Sequence, residues 1–267
     1  MIEWLATMTS YIGAGLISAA VSHSVPPTKC GVFENLQFCY YEGAPSSNKV
    51  IYFFHGYGND ETAWSWNSVT KDIQEVWKKE NIERPTVISM SFAPMWWYKN
   101  LKTAELLDRF SRVIETELFP SKDLDRRLYG DSMGGHNALG WASDTQLNFD
   151  KMALICPAIP NPNYAERVYA QASEGWIGLA YFARKLILGD GTVVDPLSRV
   201  LDRFNRGENF PSTFLSLTPR DHFGFYPGNK MLFEIFEQLN SMPVQVDEQS
   251  VIHCNVEATR LAHFLGE

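Results

Sequence analysis

The chain has 267 residues, of which 45% are hydrophobic and 20% are charged, and its formal net charge is −8. This composition is typical of a globular protein rather than a disordered one. The acidic balance, with no run of Lys or Arg longer than a pair, argues against nucleic acid as a partner because phosphate binding needs a basic face. The length fits one large domain with a sizeable core.

The N-terminal segment, residues 1–27, is apolar and carries no charge from Trp4 to Ser22. A signal peptide has this pattern, with Ala20-Val21-Ser22 as its cleavage site, but Glu3 and the lack of a leading Lys or Arg speak against one. A membrane anchor and an ordinary N-terminal helix are the alternatives. Export, to the outside or to the cell envelope, is slightly favoured over the cytoplasm, and membrane association is expected only of an anchor. The domain itself is expected to span residues 28–267.

Two cysteines fall in a predicted hairpin that opens the domain. If Glu34-Asn35 is a two-residue turn, cross-strand partners have residue numbers that sum to 69, so Cys30 faces Cys39. Counted from the turn, this pair is a non-hydrogen-bonded one, where the strands approach closely enough for a disulfide. Two free thiols are the alternative. Cys156 and Cys254 are interpreted as a buried strand residue and a loop residue, without metal-like spacing to any His.

Beyond the hairpin, apolar runs alternate with amphipathic helical stretches, a pattern that predicts an α/β fold with a mostly parallel sheet buried on both faces. The predicted strands are residues 50–54, 87–90, 127–129, 152–156, 213–217 and 244–246, and the clearest helices are residues 68–80, 103–119 and 256–264. In the helix over 103–119 we expect Leu106, Leu107, Phe110, Val113, Ile114 and Leu118 to face the core. One connection, at about residues 158–212, is too long for a simple crossover. It is expected to form a helical, lid-like insertion.

Ser132 lies in the sequence Gly-Asp-Ser-Met-Gly, between a predicted strand and a predicted helix. A nucleophile elbow has this context, and its sharp turn requires small residues at the flanking positions, here Gly130 and Gly134. The N-terminus of the following helix favours negative charge beside the serine. The alternative is a glycine-rich turn in which Ser132 only caps the helix. Asp131, next to it, is expected to hydrogen-bond locally.

Donors for an oxyanion are expected from the sequence His-Gly-Tyr-Gly at residues 55–58, directly after the first parallel strand. The backbone N–H groups of Tyr57 and Met133 would form the oxyanion hole of an acyl-transfer site. The alternative is that Gly56 and Gly58 are ordinary loop glycines, and His55 itself is interpreted as a core histidine.

An elbow serine needs a base and an acid, which follow it in the chain on later loops. Asp221 comes soon after one predicted strand, and His253 lies on the loop between the last strand and the last helix. Their roles would be to orient the imidazole and to act as general base, then acid. His136 and His263 lie within predicted helices and are interpreted as structural, and His222 competes poorly because it sits on the acid's loop.

The chain resembles the esterase D-like branch of the α/β-hydrolases over roughly residues 28–267. The matching motifs are residues 55–58 and residues 130–135, with looser matches at Asp221 and His253. The resemblance implies the α/β-hydrolase fold, a Ser-His-Asp triad that works through an acyl-enzyme, and no metal or organic cofactor.

The sequence therefore predicts a serine hydrolase of carboxylic esters. Acyl transfer or thioester cleavage on the same triad, or a non-catalytic binding protein, are the alternatives. The expected substrate is a small-molecule or glycan ester. Aromatic residues could line its pocket, although packing in the core is the alternative for them; they are Trp64, Trp96, Trp97 and Trp176.

Overall fold

The computed structural model describes residues 25–120, 123–159, 196–219, 221, 223, 225–239, 244–248 and 254–267. Four predictions fall wholly or largely outside these residues and stay predictions. They concern the signal or anchor segment, most of the lid-like insertion with Trp176, and the two histidines His222 and His253.

The described residues form one eight-stranded sheet in the order β1-β2-β4-β3-β5-β6-β7-β8. The first two pairings, β1 with β2 and β2 with β4, are antiparallel, and the remaining pairings are parallel. The strands are β1 Lys29–Phe33, β2 Leu36–Tyr41, β3 Lys49–Phe54, β4 Thr86–Ser91, β5 Asp125–Asp131, β6 Lys151–Ile155, β7 Ser212–Leu217 and β8 Val244–Glu248.

Seven helices appear among the described residues and cover both faces of the sheet. They are α1 Ala63–Trp66, α2 Ser68–Lys79, α3 Leu101–Leu118, α4 Met133–Asp144, α5 Pro196–Asn205, α6 Tyr226–Leu239 and α7 Ala258–Gly266. Because helices cover both faces, the central strands are buried on both sides, and this explains their unbroken apolar sequences. All six residues of β4 are buried.

The core has two layers, one on each face of the sheet. Residues of α2 and α7, such as Ile73 and Leu261, pack on Phe53 and Phe214 of one face. Helices α3, α4 and α6 pack on the opposite face, where Trp141 meets the ring of Tyr52 edge-on at 5.2 Å between centroids. The α/β fold with a mostly parallel sheet, predicted from the sequence, is confirmed.

The N-terminal hairpin has the predicted register. Phe33 pairs with Leu36 and Cys30 with Cys39, and Glu34 adopts the positive φ of 55° that such a tight turn requires. The Cys30–Cys39 disulfide is present, which confirms that prediction. We call residues Lys29–Tyr41, at the lateral edge of the sheet, the hairpin edge.

The predicted strands, and the predicted helices that fall among the described residues, are found, with boundaries shifted by one or two residues in most cases. One predicted core position is wrong. Val113 is 54% exposed, because α3 turns that side of the helix to solvent while Phe110 and Ile114 face the sheet. Of the long insertion, the described C-terminal part contains α5, which contacts α4.

Candidate active site

Ser132 stands at the turn from β5 into α4, with φ 52° and ψ −112°. A non-glycine residue rarely adopts this backbone, and such strain is concentrated at functional sites. Ser132 is partly exposed although Asp131 and Met133 on either side of it are buried. The turn therefore presents this one side chain at the end of the strand, as a nucleophile elbow does.

The end of β6 holds the backbone of Ser132 on both sides. The Ser132 N–H donates to the carbonyl oxygen of Ile155 at 2.8 Å, and the Ser132 carbonyl accepts from the N–H of Ala158 at 2.9 Å. The same carbonyl accepts from the N–H of His136 at 3.2 Å, which begins the hydrogen bonding of α4. The strained turn is thus fixed by the neighbouring strand and the helix together.

The flanking glycines leave no room for a side chain. A Cβ on Gly130 would lie 2.2 Å from the carbonyl oxygen of Gly134, and a Cβ on Gly134 would lie 1.9 Å from the carbonyl oxygen of Phe54. Both neighbours are backbone atoms and cannot move away cheaply. Glycine is therefore required at position 130 because the strand end packs against the start of α4, and at position 134 because α4 packs against the end of β3.

The loop after β3 lies against the same turn. Gly56 is buried, and a Cβ there would be 3.8 Å from the Cβ of Ser132. Gly58 has φ 83° and donates its N–H to the carbonyl oxygen of Pro94 at 2.7 Å. The structure thus brings residues 55–58 and the turn at Ser132 together. We call the loops that follow β3, β5, β6 and β7 (residues 55–59, 132, 156–159, 218, 219 and 221) the carboxyl edge.

The backbone N–H groups of Tyr57 and Met133 have no hydrogen-bond acceptor among the described residues. Met133 is the first residue of α4, where the N–H has no partner within the helix. The N–H of Asn59 donates to Gly56 at 3.3 Å, whereas no hydrogen bond from the N–H of Tyr57 or Met133 occurs among the described residues. Both groups could donate to an incoming oxyanion.

Asp221 lies on the loop that follows β7. Its backbone N–H donates to the carbonyl oxygen of Thr218 at 3.0 Å, and its Oδ1 accepts from the N–H of Phe223 at 2.7 Å. These bonds fix a partly exposed carboxylate at the carboxyl edge. His253 lies outside the described residues, and β8, the strand before it in the chain, is parallel to β7.

Two described histidines near the turn are buried. Desolvation lowers the pKa of His55, whose Nδ1–H donates to the carbonyl oxygen of Gly56 at 2.8 Å. Desolvation also lowers the pKa of His136, to about 4, and its ring meets Trp97 edge-on at 5.4 Å. Both are packed into the protein. His263 lies elsewhere, between Glu267 and Glu80 at the end of α7, and its hydrogen bond to Glu267 contributes most to raising its pKa.

Asp131 lies directly before the nucleophile and is buried. Its Oδ2 accepts from the side-chain amide of Asn67, at the start of α2, at 3.5 Å. Burial raises the pKa of this carboxyl to about 7 because the charged form is poorly solvated there. Asn67 lies 64 residues away in the chain, so this bond is not the local one expected from the sequence.

A second disulfide, Cys156–Cys254, joins the carboxyl edge to the segment that ends the domain. No pairing of these cysteines was predicted from the sequence. The available signal was that one ends a predicted strand and the other follows His253, but 98 residues separate them and only the sheet order brings them together.

The aromatic residues expected in the pocket have different positions. Trp64 does not line it: this side chain is only 1% exposed and packs in the core between α1, α2 and the sheet, with Phe53 and Trp77. Trp96 lines a crevice beside the nucleophile turn together with Met133. Trp97 packs in a small cluster with Met133, Ala158 and Phe225, and Trp176 lies outside the described residues.

One residue of this region was missed by the sequence analysis. Asn137, on α4, donates its Nδ2–H to the carbonyl oxygen of Trp96 at 3.0 Å and accepts the N–H of Tyr98 at 2.8 Å. It thereby fixes the aromatic loop against the helix that follows Ser132. An asparagine one turn beyond an elbow serine carries no motif, so no sequence signal could have found it.

The described residues contain no group of three or more His, Cys, Asp or Glu arranged to hold a metal ion. None of their helices combines the length and the apolar character needed to cross a membrane.

Comparison with known proteins shows the fold at low sequence identity. No family model matches the chain, and no curated protein matches it. Among solved structures it is similar to the S-formylglutathione hydrolase FrmB from Staphylococcus aureus, with TM-score 0.60, 16% identity, and coverage of 92% of this chain and 100% of that one. An esterase from the fungus Rhizomucor miehei gives TM-score 0.63 and 18% identity, with coverage of 92% and 83%.

The fluorophosphonate-binding serine hydrolase FphF from Staphylococcus aureus gives TM-score 0.55 and 16% identity, with coverage of 92% of this chain and 98% of that one. These similarities extend over nearly the whole chain, although few residues are identical. The chain therefore has the α/β-hydrolase fold, as its resemblance to the esterase D-like branch implies.

Proposed function

We propose that the protein is a serine hydrolase of carboxylic esters, with Ser132 as the nucleophile. The observation that carries the proposal is the conformation of Ser132, a partly exposed residue with φ 52° at the turn between β5 and α4. The structures it resembles include esterases and a fluorophosphonate-binding serine hydrolase, which favours the same chemistry on this fold.

His253 is the general base in this proposal, and Asp221 orients it. The two described histidines nearest to Ser132, His55 and His136, have lowered pKa values and buried rings, so neither suits a base that must exchange protons with substrate and water. Asp221 is held at the carboxyl edge by the bond from Phe223. Ser132, Asp221 and His253 follow the strands in the chain order expected on this fold.

The reaction then has two steps. In the first, the Ser132 hydroxyl loses its proton to the imidazole and attacks the acyl carbon, and the N–H groups of Tyr57 and Met133 stabilise the oxyanion. The imidazolium gives its proton to the leaving alcohol, which leaves an acyl-enzyme. In the second, the imidazole activates water to release the acid.

Trp96 and Met133 form one wall of the site in this proposal. Both line the crevice beside the turn, together with Phe92 and Met90. An apolar wall of this kind favours an uncharged acyl group rather than a charged one. A panel of acetyl, longer acyl and feruloyl esters, with an S-formyl thioester, would define the preferred acyl group and leaving group.

The proposal is tested by labelling with a fluorophosphonate probe and by hydrolysis of p-nitrophenyl acetate. We expect one probe per chain, and Ser132→Ala should abolish labelling and lower kcat by about four orders of magnitude or more. Folded wild-type protein that neither takes the probe nor cleaves any ester of the panel would contradict the proposal.

The base is assigned with a matched pair of variants. His253→Ala should abolish turnover, whereas His222→Ala, on the loop of the acid, should leave most of it. The opposite result would make His222 the base while leaving the nucleophile unchanged.

A further inference from the structure

The Cys156–Cys254 disulfide lies beside the segment that fixes Ser132, and one of its cysteines follows the proposed base in the chain. Cys156 follows β6 directly, and its Cα is 5.0 Å from that of Cys254. Cys254 is joined by one peptide bond to His253. The bond therefore ties the residue after the proposed base to the end of the strand beside the nucleophile.

That strand end is the segment that fixes Ser132. Ile155, before Cys156, accepts the Ser132 N–H at 2.8 Å, and Ala158, beyond it, donates to the Ser132 carbonyl at 2.9 Å. The Sγ of Cys254 is itself 3.8 Å from the carbonyl oxygen of Ile155. One carbonyl group thus contacts both the nucleophile's backbone and the sulfur that follows the base.

Both cysteines have backbone conformations that a free loop residue rarely adopts. Their φ values are 42° for Cys156 and 61° for Cys254, in the left-handed region that disfavours a side chain. Such residues persist where the surrounding structure holds them. Breaking the bond removes one of the constraints that keep them there.

The chain after Cys254 is held by other contacts. Ser216 Oγ donates to the carbonyl oxygen of Asn255 at 3.1 Å, and Asp247 Oδ2 accepts the N–H of Glu257 at 2.8 Å. These bonds anchor the start of α7 independently of the disulfide. Loss of the bond should therefore affect the segment next to His253 and leave the helix docked.

We propose that the Cys156–Cys254 disulfide is a positioning element for the histidine loop, so that turnover depends on the redox state of this bond. Reduction by a dithiol breaks the Sγ–Sγ bond. Each sulfur gains one electron and one proton, and the dithiol is oxidised to its cyclic disulfide. The residue after the proposed base then loses its covalent tie to the end of β6, and a misplacement of a catalytic group by about 1 Å can cost on the order of a hundredfold in rate.

The proposal rests on the proposed function, and it predicts a particular kinetic result. Residues 55–58 follow β3, Trp96 follows β4 and Met133 begins α4, so none of them lies in the segments that the bond joins. Reduction should therefore lower kcat and leave KM nearly unchanged, as expected for an interaction that acts on the reaction step.

The hairpin disulfide supplies the matched control. We compare Cys156→Ser/Cys254→Ser with Cys30→Ser/Cys39→Ser, using ester hydrolysis and the rate of fluorophosphonate labelling. The first variant should lose more than about tenfold in kcat and in labelling rate with KM within about twofold, and the second should match wild type.

A second measurement covers the case in which the first variant does not fold. Wild-type protein is treated with dithiothreitol, its thiols are alkylated, and circular dichroism checks that the fold persists. Reduced, folded protein should have a low kcat, and reoxidation of an unalkylated sample should restore it, whereas the Cys30→Ser/Cys39→Ser variant should respond to dithiothreitol like wild type.

Three results would overturn the inference. Full turnover with Cys156 and Cys254 both alkylated would show that the bond positions nothing. Loss of turnover only in parallel with loss of the circular dichroism signal would assign the bond to general stability. Oxidised wild-type protein without labelling or turnover would remove the proposed function, and the inference with it, which is distinguishable from the first two outcomes.

Discussion

The hairpin edge and the carboxyl edge each carry a disulfide, but the two bonds close very different lengths of chain. Cys30 and Cys39 are 9 residues apart and face each other across one turn. Cys156 and Cys254 are 98 residues apart and meet because β6, β7 and β8 are neighbours in the sheet. The first bond secures a local structure, and the second joins distant parts of the domain.

Removing either disulfide should cause the largest loss of stability among the changes compared. Because a disulfide restricts the unfolded chain more as its loop lengthens, loss of Cys156–Cys254 should cost about 5 kcal/mol of unfolding free energy and loss of Cys30–Cys39 about 3 kcal/mol. Urea denaturation of the two double-serine variants measures both. Equal losses would mean that the unfolded chain is not the main source of the stabilisation.

Glycine substitutions compare the packing of the same two edges. Gly134→Ala places a Cβ 1.9 Å from the backbone oxygen of Phe54, so we expect a loss of about 3 kcal/mol or more. Gly31→Ala meets only the tip of the Phe38 ring, at 2.9 Å, which can rotate or shift, and should cost less than about 1 kcal/mol. Thermal unfolding of the two variants tests this order. A Gly134→Ala protein as stable as wild type would contradict the close packing described for the elbow.

Two adjacent residues of α3 offer a third comparison, because one contacts the C-terminal end of α4 and the other contacts the hairpin edge. Asp108 is buried and accepts hydrogen bonds from Trp141 Nε1 at 2.7 Å and Thr145 Oγ1 at 2.5 Å, near the end of the helix that follows Ser132. Arg109 pairs with Glu34 of the hairpin, and both side chains are more than half exposed.

Asp108→Ala leaves buried donors without a partner and should cost about 2 kcal/mol, whereas Arg109→Ala should cost less than about 0.5 kcal/mol. Urea denaturation of both variants at one pH measures the difference. Similar values for the two would show that the buried network contributes no more than an exposed ion pair.

The smallest effect predicted for the wild-type protein is the pH dependence of the unfolding free energy that comes from two buried groups beside Ser132. Burial raises the pKa of Asp131 to about 7 and lowers the pKa of His136 to about 4. Between about pH 4 and 6.5, folded Asp131 keeps a proton that the unfolded chain releases, so its contribution to stability falls as pH rises. Folded His136 lacks a proton that the unfolded chain binds, so its contribution rises. Each changes by up to about 1.4 kcal/mol per pH unit, and in wild type the two largely cancel.

Single variants should reveal each contribution. Asp131→Asn should make the unfolding free energy rise with pH between about 4 and 6.5, and His136→Gln should make it fall between about 4 and 7. Glu34→Gln at the hairpin edge serves as the control and should follow wild type. Parallel pH curves for all four proteins would show that neither buried group has a displaced pKa.

Much of the fold and part of the site follow from local sequence. The hairpin register is set by the period-two geometry of strands around Glu34-Asn35, and that geometry also pairs Cys30 with Cys39. The strand, turn and helix around Ser132 follow from an apolar run, two glycines and a stretch rich in small and apolar residues. Such features depend on interactions between residues close together in the chain and on the backbone conformations that each residue can adopt.

Other features were decided only when the layers packed. Trp64 and Trp96 are both tryptophans that follow parallel strands, yet one fills the core and the other lines the crevice beside Met133. Val113 belongs to the apolar pattern of α3 but faces solvent. Cys156 and Cys254 pair because the sheet order sets their loops side by side. The chain's local periodicity specifies strands, helices and turns, whereas contacts between distant segments depend on the order in which the strands assemble, and no spacing along the sequence records that order.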